Sequence, residues 1–177
     1  MDTKRHLEDL TAMSDRELEA IFEGGTTPDF DKLFGWEFRG MNQPFFTKLM
    51  GIKKFTKGFY KKTGRPFGYN IPIKQKPDGW SYKPTDEDPK RYGFYTVKPV
   101  DPDSEENKHE HALLLNYGEG ENPFWGFTWI LRDYIVKVDP DNDDLYLGKA
   151  YTVIGPLRLP PSFFIIERYR ESKLKEA

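Results

Sequence analysis

The chain reads as a mainly β protein, an antiparallel up-and-down β-barrel with an N-terminal helical segment. Three observations lead there. Aromatic residues make up 16% of the 177 residues while only 37% are hydrophobic, so apolar mass sits in large rings rather than in aliphatic helix faces. Fourteen prolines and fifteen glycines are spread along the chain, which suits short elements joined by turns. Strand-like runs follow one another at 92–100, 109–117, 124–138, 145–154 and 162–170, parted by "DPDSEEN", "GEGEN", "DPDND" and "GPLRLPP". None of these runs alternates with a helix, so the pattern is a meander rather than parallel βαβ units. Closing such a meander into a barrel removes its exposed edges.

The first 25 residues are helical in pattern. Leu7, Leu10 and Met13 share a face, and Ser14 to Glu17 forms a capping box that restarts the helix, with Met13 and Leu18 as its staple. Leu18, Ile21 and Phe22 continue the stripe until Gly24 and Gly25 stop it. "FGWEFRG" (34–40) alternates as a half-buried strand. "PFFTKLMGI" (44–52) has helical spacing behind Pro44, and "KKFTKGFYKK" (53–62) is a strand with Phe55, Lys57 and Phe59 on one side. Residues 63–91 read as short strands between turns. The expected organisation is a single domain over 1–177, with the barrel spanning 34–170.

The run from 124 to 138 is apolar on both faces, as expected of a strand with lumen on one side and the N-terminal helices on the other. By parity Arg132 goes with Thr128, Ile130, Tyr134 and Val136, and Asp133 with Trp125, Phe127, Trp129, Leu131 and Ile135. A charge on either face needs a partner. The favoured parity puts Arg132 in the lumen, and the bland reading is a structural ion pair.

The formal net charge of −2 hides segregation: residues 39–83 carry eleven basic side chains against one acid, Asp78. Lys53, Lys54, Lys57, Lys61 and Lys62 interleave there with aromatic rings. The block suits an anionic surface better than a nucleic acid, and its bland reading is a solvated face balanced by the acidic loops. Cysteine is absent, which excludes disulfides and thiol chemistry. No secretory pattern opens the chain, and a soluble cytoplasmic setting is expected.

No motif names a reaction. His109 and His111 offer two ligands without a third, and "DPDNDDLYLGKA" (139–150) lacks the glycine and glutamate of a calcium loop, so it reads as a hairpin turn. Neither a metal nor another cofactor is expected. An acid pair such as Glu37 with Asp133 is available for proton transfer if a barrel brings the two together.

The order of elements resembles the calycins, the superfamily of lipocalins and fatty-acid-binding proteins. Gly35-Trp36 is similar to a displaced Gly-x-Trp, the 44–52 segment resembles a helical lid after the first strand, and Arg168 and Arg170 stand near the end of the last strand. The resemblance implies that a terminal arginine stacks on the early tryptophan to close the barrel. The order Glu167-Arg168-Tyr169-Arg170 contains no Arg-x-Tyr, the pair that holds a ligand carboxylate in the fatty-acid-binding branch. The function expected is therefore binding of a small hydrophobic or amphipathic molecule in an aromatic-lined cavity, with Trp36, Trp125, Phe127, Trp129, Arg132, Tyr134 and Arg168 as its contacts. The alternative is an isomerase, cyclase or hydrolase working in such a lumen through buried Tyr, Asp or Glu; surface binding through the basic block ranks third.

Overall fold

Alternation of ring-bearing and polar residues over 36–171 is resolved by a closed antiparallel barrel. The structure, a computed structural model, describes residues 4–44 and 51–177. Nine strands lie among these: β1 (Trp36–Asn42), β2 (Lys54–Lys62), β3 (Arg65–Pro72), β4 (Tyr92–Pro99), β5 (Leu113–Asn116), β6 (Leu131–Lys137), β7 (Leu145–Ile154), β8 (Leu157–Arg158) and β9 (Ser162–Glu171). Each of β1 to β7 pairs with its successor, β9 pairs with both β7 and β1, and so eight strands close the ring. The two-residue β8 is a flap on the end of β7. This is the calycin-like architecture that the order of elements implies. No helix of the described residues is long and apolar enough to cross a membrane.

The barrel wall is apolar on both sides, and strand parity separates the two sets. Phe38, Phe55, Phe59, Tyr95, Val97, Leu115, Ile135, Tyr146, Phe164 and Ile166 form the inner cluster. On the outside, Leu114, Tyr134, Val136, Leu147, Phe163 and Ile165 pack with Leu7 and Leu10 of α1 (Leu7–Thr11) and Leu18 and Phe22 of α2 (Asp15–Glu23). The box at Ser14 is formed, its backbone N–H donating to Glu17 Oε2 over 2.8 Å. A Cβ on Gly25 would lie 2.6 Å from Val136, so glycine lets the chain leave α2 flat against β6.

Narrow lumens leave little room for large rings, and glycine makes the space. Gly40, Gly68 and Gly148 stand opposite Phe55, Tyr95 and Phe164 in register, and each ring folds over its glycine so closely that a Cβ would lie 2.1–2.4 Å from it. Large rings therefore share the core with the aliphatic chains.

Two expectations need correction. The apolar run at 124–138 is not one strand: a 3-10 turn, Phe127–Ile130, precedes β6. Pro123 and Gly126 favour a turn there, and Asn122 ties the connection to Phe94 through bonds to both its N–H and its carbonyl. The strand expected at 109–117 shrinks to four residues, because His109 to Ala112 make a turn. The helix expected over 44–52 falls on 45–50, outside the described residues. The 138–144 connection is the hairpin turn expected of it.

A short helix, α3 (Phe30–Leu33), leads into β1 at one end of the barrel. There the Arg168 guanidinium lies 4.5 Å from the centre of the Trp36 ring and donates to Asp144 Oδ1 over 2.6 Å. This is the stack that the calycin resemblance implies.

His109 carries the pH sensitivity of the helix-covered wall. Its Nε2 lies 2.8 Å from Tyr151 Oη and its ring meets Phe22 edge-on. Burial, then the Lys149 ammonium, then His111 and Lys108 push its pKa from 6.5 down to about 4, against the opposing pull of Glu23. A depressed histidine binds fewer protons folded than unfolded between those values, so stability is full above pH 6.5 and declines toward pH 4. Urea midpoints measured across that interval should fall less steeply in His109→Gln than in the wild-type protein; identical slopes would remove this account.

Candidate functional site

Four polar side chains enter the otherwise largely apolar lumen: Lys57 from β2, Asn70 from β3, Tyr117 just beyond β5 and Asp133 from β6. Local sequence aims each of them. Lys57 lies between Phe55 and Phe59 in strand parity, and Asp133 between Leu131 and Ile135, so both follow their apolar neighbours inward. An irregularity in the β3–β4 register lies beside Asn70. Gly93, at φ +55°, brings its carbonyl within 3.1 Å of Asn70 Nδ2, and a Cβ on it would stand 2.9 Å from that nitrogen.

The Lys57 ammonium donates to Asp133 Oδ2 over 2.9 Å, to Asn70 Oδ1 over 3.2 Å and to the Tyr117 hydroxyl. Tyr117 donates in turn to the same Asp133 oxygen over 3.1 Å. The rings of Tyr95, Tyr117, Phe164 and Phe55 surround the ammonium at 4.9, 5.1, 5.2 and 5.6 Å from their centres. Both charges are withdrawn from solvent, the side chains being 3% and 5% exposed. Burial pulls the Lys57 pKa down, and Asp133 only partly restores it. Burial, followed by the charge of Asp133, holds the Tyr117 phenol well above its ordinary value, so it stays protonated. The second oxygen, Asp133 Oδ1, is buried without a partner among the described residues.

This cluster ends a cavity of about 120 Å³. Its walls are mostly apolar, Phe55, Phe164, Ala150 and Leu131 among them, and Ile52, Phe127 and Thr128 line it from the adjoining connections. Alternate connections of an up-and-down barrel share an end, so the β3–β4, β5–β6 and β7–β9 connections lie at the end of the barrel where Asn42 and Ile52 line this cavity. The volume approaches that of engineered apolar cavities of about 150 Å³, which take up a benzene ring.

Of the seven ligand contacts expected from the sequence, Phe127 alone lines this cavity. Trp125 and Trp129 point away, 78% and 38% exposed, with Phe124 at 72% beside them. Arg132 is on the outer face, its Nε donating to Glu106 Oε1 over 3.1 Å, the reverse of the favoured parity. Tyr134 is also outside, under the N-terminal helices, with its hydroxyl on Glu106. Trp36 and Arg168 border a different, polar groove of about 330 Å³ at the α3 end, where Lys4 and Arg168 pair with Asp144 and His6 with Glu167.

Other candidates separate as well. Glu37 faces outward and accepts from Tyr69, Tyr82 and Arg170 over 2.8–2.9 Å, so the barrel wall parts it from Asp133. His109 Nε2 meets the Tyr151 hydroxyl and His111 Nε2 the Phe22 carbonyl, and no group of three metal-ligating side chains occurs among the described residues. The five lysines of the basic block do not share a face. Lys53 is exposed, Lys54 is buried and donates to the carbonyls of Lys76, Pro77 and Gly79, and Lys57 is in the lumen. Lys61 and Lys62 pair with Asp31 and Glu121.

Sequence reasoning passed over Lys57, Asn70 and Tyr117 as site residues. A signal existed for the first, since a lysine that alternates with two phenylalanines points where they point. No protein-family model matches the chain, and no curated protein matches it in sequence.

An ion pair this deep stabilises only while both members are present. Lys57→Met alone should lower the unfolding free energy by about 3–5 kcal/mol, and Asp133→Leu alone by a similar amount. The double variant should recover most of that loss in urea titration. Additive losses would show that the pair does not act as a unit.

Proposed function

We propose that the barrel binds a small, mainly apolar molecule that carries one hydrogen-bond donor. The observation that supports this is an apolar cavity lined by Asp133, a residue whose second carboxylate oxygen, Oδ1, is buried without a partner among the described residues. A buried acceptor left unpaired is costly, and a ligand hydroxyl or N–H at that oxygen removes the cost. The ring-sized volume favours a compact body over a long acyl chain, which narrows the expectation of an amphipathic ligand. Phe127, Leu131 and Ala150 would contact that body, and Lys57, Asn70 and Tyr117 would hold Asp133 in place. Within the calycin-like architecture this is a lipocalin-style use of the lumen, with an internal ion pair where the fatty-acid-binding branch uses Arg-x-Tyr. Arg132, Tyr134 and Arg168 have no part in this reading, because protein carboxylates and carbonyls engage them.

Benzyl alcohol and toluene, which differ by the donor, discriminate directly. Calorimetric titration should give benzyl alcohol about tenfold or more the affinity of toluene, as expected for a hydrogen bond to a charged acceptor. Ala150→Phe, which fills the cavity, should abolish binding of both. Equal affinities, or binding unchanged in Ala150→Phe, would contradict the reading.

A further inference from the structure

We propose that Lys57 is a covalent site, forming a reversible imine with small aldehydes or ketones whose apolar, ring-sized body occupies the cavity. The inference rests on the ligand-binding reading above and names the chemistry of its polar end.

Imine formation requires an amine whose lone pair is free for part of the time, a carbonyl held against it, a proton donor for the carbonyl oxygen and a route out for water. Lys57 lines the cavity, which brings a carbonyl compound held there to its side chain. Burial favours the neutral amine over an exposed lysine's ammonium. Tyr117 is the donor: its hydroxyl touches Nζ, and burial keeps the phenol protonated until a carbonyl oxygen beside it takes on negative charge. The ring cage and Asp133 already surround a cation at this position, so they suit the protonated imine equally.

The step balances within these groups. The Nζ lone pair forms the C–N bond while the carbonyl π pair moves to oxygen, which takes the Tyr117 proton; the nitrogen then sheds a proton to the Tyr117 oxygen. The carbinolamine hydroxyl next leaves as water with the Tyr117 proton, the nitrogen lone pair closes the C=N bond, and the imine proton returns to Tyr117. One aldehyde and one amine give one imine and one water, and hydrolysis reverses the sequence. Asp133 stays ionised and offsets the positive charge of each cationic stage.

The test uses the full chain, benzaldehyde and sodium cyanoborohydride near pH 6, followed by peptide mapping. Exposed lysines are almost wholly protonated there, and each unit by which a lysine pKa is lowered raises its free-amine fraction about tenfold. The expected result is one benzyl addition at Lys57, at least about tenfold faster than at any exposed lysine. Benzyl alcohol, which lacks the carbonyl, should protect Lys57 in proportion to its occupancy, a control that needs no variant. Tyr117→Phe should slow the addition on the order of a hundredfold, the usual worth of a positioned acid. Binding of benzyl alcohol together with labelling confined to exposed lysines would overturn the covalent site and leave the binding reading standing. Failure of benzyl alcohol to bind would overturn both.

Discussion

An ion pair across the lumen is the constraint on which the rest of this barrel depends. β2 and β6 stand opposite each other in the eight-stranded ring, with three strands between them by either route. The 2.9 Å contact between Lys57 and Asp133 therefore spans the barrel rather than joining neighbours along one wall. Withdrawing two charges from water is costly, and a bare pair rarely recovers that cost. Here Asn70, Tyr117 and four ring faces supply the remaining contacts of the ammonium. Among the described residues the carboxylate is served on one oxygen only. In the proposed binding role, that imbalance beside a cavity is what makes the pair more than a structural strut.

The packing around the pair follows from the same geometry. A lumen crossed by charged side chains cannot be filled with aliphatic chains alone, because the polar atoms need directional partners and the space between them is irregular. Tyrosine and phenylalanine answer both needs, and the cross-strand glycines let the rings lie flat against the wall. Away from the cavity the interior is closed by Phe38, Phe59 and Tyr146, and the end beyond by the Trp36–Arg168 stack. One end is thereby fixed, and the cavity is left facing the other.

Strand order and closure were legible because turn formers punctuate 92–171 and because each strand keeps its period; the limits of β7 agree with the sequence reading to the residue. The N-terminal helices were legible from the Ser14–Glu17 box and the leucine stripe. Parity was not. Arg132 and Asp133 are adjacent, and periodicity alone cannot say which of two apolar faces is the lumen. The outer face is apolar here because α1 and α2 cover it, so the usual cue of a polar exterior is missing. The aromatic run before β6 misled for a related reason: hydrophobicity predicts burial, while Pro123 and Gly126 put Phe124 and Trp125 in a connection that faces outward. Lys57 was hidden by composition, since a charge count over 39–83 treats an inward lysine and a surface lysine alike.

The central claim is that the lumen ion pair, and not the surface arginines, meets the ligand. Carbon-detected NMR of side chains reads this directly. On titration with benzyl alcohol, Lys57 Cε and Asp133 Cγ should shift along one shared isotherm, while Arg132 Cζ and Arg168 Cζ stay in place. Saturable binding that moves the arginine resonances and leaves Lys57 and Asp133 unchanged would contradict the account.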